Sequence, residues 1–465
     1  MGRGWHIEAH EIVTQVDIMN SNISQSNDLW ARLIAWIRNT PLMRYPDLGL
    51  ISLGVFVMLI GVGAIVPIRM IYARDHGALP FELGLMASGF LLGQFAFQLP
   101  GGWASDKWGR KPLLVAGIAI GGVISFLFLA WDNPWYFIVL RFIEGAASGA
   151  IAPAANAYVI DTVPAKERGV AFGWLGSAFS AGFMLGPAVG GFMVDALGYE
   201  SPFIFGGVTR LATALFLAIK MRNIKPGEKP AVSIEGPASD AEKQVRRQIP
   251  QRLFVPALIG ALVLTIASGF GDGLFISIWT LWLNDLHASN SFIGFTFITF
   301  SLPLMLLMPS TGKMADKYRL APLIAIPGAM ISFVYFTYGI TENLFVIAAI
   351  GLLEGAFIAI MIPALSAYVA NLSPDNARGR LQGIISTTRT LAGFGSAMVV
   401  TFLYSIDSTY PFFMLAGVQL VISIAGGLLV WTVEKRTNAV EEAPGPPATG
   451  GRGHVFTPQL EAAAK

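Results

Sequence analysis

The sequence predicts an all-α integral membrane protein with twelve transmembrane helices, arranged as two parallel six-helix repeats around a central cavity. Three observations support this prediction. Only 13% of the 465 residues are charged, whereas soluble proteins have about 25%. Twelve apolar stretches approach the roughly 20 residues that a helix needs to cross a bilayer. A shift of 210 residues aligns one half of the sequence with the other.

The expected spans are joined by connections of alternating charge. The spans lie at about 49–72, 81–103, 112–131, 134–158, 169–194, 200–220, 254–283, 291–312, 321–340, 344–370, 380–403 and 409–432. Every second connection carries Lys or Arg, and among the others only Arg69 and Arg74, after the first span, break the pattern. Because cytoplasmic loops carry the excess of Lys and Arg, both termini are expected in the cytoplasm of a multi-pass cell-membrane protein.

The spans divide the chain into five regions. Residues 1–48 are expected to form a cytoplasmic segment with room for a short interfacial helix, since Trp30, Leu33, Ile34 and Ile37 share one helical face. The regions that follow are a six-helix bundle at 49–220, a cytoplasmic linker at 221–252, a second bundle at 253–432 and a disordered cytoplasmic tail at 433–465.

The internal repeat fixes the relation between the two bundles. The shift of 210 residues needs no gap, and it places Gly102 on Gly312 and Glu144 on Glu354. Since six is an even number of spans, both halves enter the membrane in the same direction. The repeats are therefore expected to be parallel and related by an axis along the membrane normal.

The connection "GGWASDKWGRKPLL" after the second span combines an acid with glycines and cations. Its candidate gate residues are Gly102, Asp106, Gly109, Arg110 and Lys111. A carboxylate facing lipid is costly, so Asp106 is expected to face protein or water, and Gly109 suits a tight turn. A generic cytoplasmic loop would explain the cations, but neither Asp106 nor its repetition at Asp316.

This connection resembles the loop signature of the major facilitator superfamily, G-x-x-x-D-x-x-G-R-K. The resemblance implies a cytoplasmic gate, with Asp106 against the start of span eleven and Arg110 bonded to Asp161 at the end of span four. The second copy, "GKMADKYRLAP", keeps Gly312 and Asp316 but lacks the Gly-Arg pair. A weaker gate is therefore expected at this second connection.

Span four carries two ionisable residues on one face. Arg141 and Glu144 are three residues apart, which places them on the same side of a helix, and buried ions are expected to face the bundle interior. The segment resembles the family's span-four motif, whose Arg is associated with proton coupling. A purely structural ion pair is the alternative interpretation.

Span five has a glycine pattern. Gly182, Gly186 and Gly190 recur every four residues and predict a groove for a neighbouring helix, while Pro187 permits a bend. Together with Gly191, the segment resembles the G-P-x-x-G-G signature of proton-driven antiporters. The alternative is a glycine-rich packing face with no bearing on the direction of transport.

Three further ionisable residues lie in spans of the second half. Glu354 and Asp272 are candidate proton carriers, because a carboxyl removed from water is easier to keep protonated. Arg389 is a candidate anion-binding or acid-pairing residue. Glu144 ranks first as the coupling acid, since Arg141 lies one turn away, and Asp272 and Glu354 follow.

The sequence favours secondary transport over other functions. We find no catalytic, metal-binding or phosphate-loop motif, so neither an enzyme nor a bound cofactor is expected. A net charge of +2 gives no support for a nucleic-acid partner. The chain is expected to act as a monomer in the lipid bilayer.

The function that the sequence favours most is proton-coupled efflux of small apolar or amphipathic compounds by alternating access. An uptake symporter of the same fold is the second possibility. A membrane receptor or scaffold without transport is an alternative from another class.

Overall fold

In the computed structural model, the described residues are 45–164, 167–223, 254–372 and 378–441. They form thirteen helices: α1 Pro46–Asp75, α2 Pro80–Trp108, α3 Arg110–Leu127, α4 Pro134–Thr162, α5 Arg168–Leu197, α6 Ser201–Lys220, α7 Phe254–Ser277, α8 Trp279–Asp285, α9 Asn290–Lys317, α10 Leu320–Ile340, α11 Leu344–Leu372, α12 Arg378–Ile406 and α13 Tyr410–Glu441. Twelve of them are long and apolar enough to cross a membrane. The expected all-α membrane fold is confirmed.

Local sequence explains where several helices begin and end. Proline at the first helical position starts α2 and α4, and the Asn133 side chain caps α4 by accepting bonds from the amides of Trp135 and Tyr136. The connection between α2 and α3 is the single residue Gly109, whose φ of 101° favours glycine. This residue therefore makes the sharp turn that the sequence predicted.

Two boundaries differ from expectation. The span expected at 254–283 is broken at Ile278, and the short α8 continues the chain to Asp285. The last helix runs to Glu441, so residues 433–441 are helical rather than part of a disordered tail. Residues 1–44, including the expected interfacial helix, lie outside the described residues. So do residues 224–253, which include most of the linker expected at 221–252, and the tail from 442.

The two halves repeat the same packing. In the first half α1 packs on α5, α2 on α4, and α3 on α6; the equivalent pairs in the second half are α7 with α12, α9 with α11, and α10 with α13. Even the turn after the first span recurs. Gly77 and its counterpart His287 both have positive φ, 89° and 58°.

The bundles meet along two pairs of helices, α5 with α9 and α2 with α12. Observed hydrogen bonds between them lie toward one end, where Asp195 of α5 accepts from Asn290 of α9. A Cβ added at Gly84 would lie 3.2 Å from Thr401 of the other bundle. At the opposite ends of these helices, a Cβ added at Gly102, Gly173, Gly312 or Gly383 would have no non-local atom within 4 Å among the described residues. These glycines face open space, and the end that they share with the turn at Gly109 is here called the open end.

The glycine groove of α5 receives a helix of its own bundle. A Cβ at Gly182 would lie 2.6 Å from the Phe56 carbonyl oxygen of α1, and one at Gly186 would lie 2.7 Å from Gly63 Cα. At Gly190 the added atom would overlap the Ala64 backbone. Backbone atoms cannot move aside as side chains do, so this face requires glycine.

We expect Gly186→Ala to lower the stability of the purified protein by about 1–3 kcal/mol through overpacking. Gly176→Ala on the same helix is the matched control, because a Cβ added at Gly176 would have no non-local atom within 4 Å among the described residues. Both changes improve helix propensity by about 1 kcal/mol, so their difference isolates the contact with α1. Thermal unfolding in detergent measures it, and equal midpoints for the two variants would contradict the groove.

Candidate functional site

Four ionisable side chains meet inside the first bundle. Glu144 of α4 accepts hydrogen bonds from Arg141 at 2.7 Å, Arg210 at 2.8 Å and Arg69 at 3.3 Å. All four residues are buried, with at most 6% of each exposed. The expected pairing of Arg141 with Glu144 on an inward face is therefore present, but it belongs to a larger cluster.

The position of Arg69 differs from the one expected from the sequence. It does not lie in a connection after the first span but inside α1, where it bonds to Glu144 and sits 5.6 Å from the centre of the Phe128 ring. It is thus no exception to the distribution of loop charges. Arg210 of α6 was not singled out in the sequence, although a lone Arg in the middle of an apolar span is a signal of a buried polar site.

A cavity of about 360 Å³ opens beside this cluster. Its charged lining residues are Arg69, Arg141, Glu144 and Arg210. Phe90, Phe179 and Phe183 form part of its apolar wall, and Ile276 of α7 closes it from the second bundle. An apolar cavity of this size with a few convergent polar groups fits a small molecule.

Glu354 occupies the position equivalent to Glu144 in the second bundle, in a different environment. It is fully buried, and its Oε2 accepts a hydrogen bond from the Tyr338 hydroxyl at 3.0 Å. Among the described residues its Oε1 has no hydrogen-bond partner within normal distance, although the Tyr335 hydroxyl also interacts with the carboxyl group. No salt bridge to Glu354 occurs among these residues. No sequence motif marked Tyr338, which occupies the position equivalent to Phe128 in the repeat.

Asp272 and Arg389 lie together on the inner face of the second bundle. The Arg389 Nε and Nη2 atoms donate to the two carboxylate oxygens of Asp272 at 2.6 and 2.9 Å. Both side chains are nearly half exposed. Of the two interpretations of Arg389, the geometry therefore shows pairing with an acid.

The turn at Gly109 is held by bonds within the first bundle. Arg110 donates to Asp161 at 3.0 Å and to Ser105 at 3.2 Å, and it also contacts Asp106. Asp106 is 67% exposed. Its implied contact with the start of α12 is absent from the bonds of the described residues, which include no side chain from 378 to 380.

The remaining gate candidates lie at the same open end. Lys111 is half-buried at the start of α3, and Gly102 and Gly312 face open space. Asp316 lies near the end of α9, but its side chain is outside the described residues.

The closed end is held by polar contacts between the bundles. Asp195 of α5 accepts hydrogen bonds from Asn290 Nδ2 at 2.9 Å and from the Ser291 amide at 2.8 Å. Arg74 of α1 donates to Asp285 at 2.5 Å and also contacts Asn284. These residues were not marked by any motif.

The Gly-Pro segment of α5 lies at this interface. A Cβ at Gly191 would overlap the Asn290 backbone of α9, and the Pro187 and Ala188 backbone packs against Gly294. The segment thus has two faces: Gly182, Gly186 and Gly190 contact α1, whereas Gly191 contacts the other bundle.

Twelve spans in two parallel repeats, around a cavity that contains ionisable groups, define a multi-pass membrane transporter. The chain belongs to the Major Facilitator Superfamily, whose family model matches residues 51–268 and 261–463. Multidrug resistance protein 2 of Bacillus subtilis (strain 168) is 26% identical over 405 residues, which cover 83% of this chain and 94% of that protein.

A second relative and two solved structures agree with this assignment. Quinolone resistance protein NorA of Staphylococcus aureus (strain MRSA252) is 23% identical over 410 residues, covering 83% of this chain and 95% of its own. A D-xylose-proton symporter has the same fold, with a TM-score of 0.66 at 17% identity over 83% of this chain and 97% of its own. So does a bacterial homologue of the human lysosomal transporter Spinster, with a TM-score of 0.66 at 14% identity over 85% and 98%.

We expect Arg110→Ala to reduce transport about tenfold, since it removes charge-assisted hydrogen bonds that hold the ends of α2, α3 and α4 together. Lys107→Ala is the matched control, because Lys107 is exposed at the end of α2 beside the same turn and lies over the Trp103 ring. Initial rates in proteoliposomes, corrected for inserted protein, measure the effect. Wild-type rates in Arg110→Ala would show that this cluster has no part in transport.

We expect Asp195→Ala to shift the bundles toward the conformation that opens at the Asp195 end. Asp407→Ala is the control: Asp407 is an exposed acid whose hydrogen bonds go to Thr409 in its own turn. The chain has no cysteine, so spin labels at Leu197→Cys and Phe345→Cys report the separation directly. An unchanged distance distribution in Asp195→Ala would mean that these bonds do not hold the end closed.

Proposed function

We propose that this transporter exports small apolar or amphipathic compounds in exchange for protons, with both termini in the cytoplasm. The observation on which the proposal depends is the uncompensated carboxyl group of Glu354. The names of its relatives, a multidrug and a quinolone resistance protein, support efflux. The Gly-Pro segment at the interface between bundles supports exchange.

The proton carrier we propose is Glu354, which reverses the order expected from the sequence. Glu144 has three arginines as partners and Asp272 has Arg389, so the charge of each carboxylate is already compensated. A buried carboxylate without a cation costs several kcal/mol, and binding a proton removes that cost at Glu354. Opening the second bundle to water on the other side would favour release of the proton.

The open end of the bundles is the cytoplasmic end in this proposal. It carries the connections with Lys and Arg, including Lys107, Arg110 and Lys111. The structure then corresponds to an inward-facing state, ready to take a compound from the cytoplasm or the inner leaflet. The Asp195 contacts would close the outer side.

A proteoliposome assay under an imposed pH gradient distinguishes the candidate functions. An antiporter releases protons from the vesicle as compound accumulates inside, whereas a symporter moves both in one direction. A receptor or scaffold moves neither. Compounds are screened for accumulation while an internal dye reports pH. Movement of protons and compound in the same direction would replace the efflux proposal with uptake.

We expect Glu354→Gln to abolish accumulation driven by the pH gradient while leaving downhill exchange of compound intact, because binding and rocking do not require the proton. Glu342→Gln in the exposed connection before α11 is the matched control. Glu144→Gln and Asp272→Asn complete the series. If Glu354→Gln still concentrates compound at the wild-type proton cost, another group carries the proton.

A further inference from the structure

The cavity in the first bundle has an excess of positive charge. Three guanidinium groups, those of Arg69, Arg141 and Arg210, line it, and the Glu144 carboxylate is the only acid among its described lining residues. Ions inside a membrane protein are paired or hydrated because isolated ones are costly. Without a ligand, this site therefore has fewer negative charges than positive ones.

The three arginines are not equivalent. Arg210 is occupied by protein partners: it donates to the Gly121 carbonyl at 2.7 Å, to Ser125 at 3.2 Å and to Glu144 at 2.8 Å. Arg69 and Arg141 each reach Glu144 through one terminal nitrogen, and the second terminal nitrogen of each makes no hydrogen bond among the described residues. Donors that remain available thus belong to Arg69 and Arg141.

The rest of the wall is mostly apolar, with Gln94 and Ser148 as its neutral polar side chains. Phe90 lies against the Arg141 guanidinium, whose centre is 4.1 Å from the ring centroid, and Phe179 and Phe183 line the same space. A ligand that satisfies both parts of the site needs an acidic group for the guanidinium donors and an apolar body for the aromatic wall. A cation there would face like charges.

We propose that the cavity binds amphipathic organic anions, with a carboxylate or similar single acidic group held by Arg69 and Arg141. The inference deepens the proposed function by naming the substrate class of its cavity. In the repeat, the positions equivalent to Arg69, Arg141 and Arg210 are occupied by Trp279, Gly351 and Leu420. The second bundle therefore offers no equivalent site.

Three probes with one body and different charge test the proposal: naphthalene-2-carboxylate, its carboxamide and naphthalen-2-ylmethylamine. Binding to the full-length protein in detergent is measured by calorimetry at neutral pH. We expect the carboxylate to bind about tenfold tighter than the amide, as charge-assisted hydrogen bonds predict, and the amine to bind more weakly still. Equal affinities for carboxylate and amide, or tightest binding of the amine, would overturn the proposal.

Variants assign the preference to the site. Arg141→Gln and Arg69→Gln should each remove most of the preference for carboxylate over amide, whereas Arg141→Lys should keep much of it. Lys107→Ala removes a cation outside the cavity and should bind all three probes as the wild type does. A wild-type preference in both Gln variants would place the anion elsewhere and overturn the assignment. Should a Gln variant not fold, the wild-type ranking and Arg141→Lys still decide.

Because binding needs no gradient, this test is separate from proton coupling. Uphill transport of the amine but not the carboxylate would refute the anion class while leaving proton-coupled efflux intact. Tight carboxylate binding without any uphill transport would support the anion site and refute the coupling.

Discussion

The cost of holding a charge away from water governs the interior of the first bundle. Glu144 is stable there because Arg69, Arg141 and Arg210 surround it, and the bonds of Arg210 to Gly121 extend the cluster to α3. Helices α1, α3, α4 and α6 are thus tied to one buried carboxylate. Removing one member of such a cluster would leave its partners unpaired, which is strongly destabilising. The cluster therefore constrains how these helices pack around the cavity.

The second bundle keeps the acid and loses the cations. The repeat replaces Arg69 with Trp279 and Phe128 with Tyr338, so that Glu354 accepts a hydrogen bond from the Tyr338 phenol, whose ring packs on Trp279. The backbone arrangement is shared, but no guanidinium group pairs with Glu354 among the described residues. We infer a division of labour: the first bundle provides positive charge to a ligand, and the second provides a carboxyl group whose charge only a proton balances.

The sequence predicted the architecture well and the site in part. Hydropathy and the internal repeat can be read directly from the sequence, so they identified the twelve spans and the two six-helix repeats. Side-chain clusters depend on how distant helices rotate toward one another, which no span reveals alone. Arg141 and Glu144 were found because they share a helix face; Arg210, 66 residues from Glu144 in sequence, was not. Arg69 was misplaced because it lies near the end of a long span, where a cation resembles a loop residue.

The glycines of α5 allow this helix to pack closely both within its own bundle and against the other bundle. Gly186 and Gly190 bring its backbone against α1 within the bundle, where a larger residue would meet main-chain atoms. Gly191, on another face, brings the same helix against α9 of the other bundle. Contacts of the first kind persist in any motion that moves the bundles as rigid bodies, whereas contacts of the second kind must separate when the closed end opens. At Gly191 and Gly294 they involve small residues, and the hydrogen bonds of Asp195 lie beside them. Contacts between small residues can separate with little rearrangement of side chains, which is a property that alternating access requires.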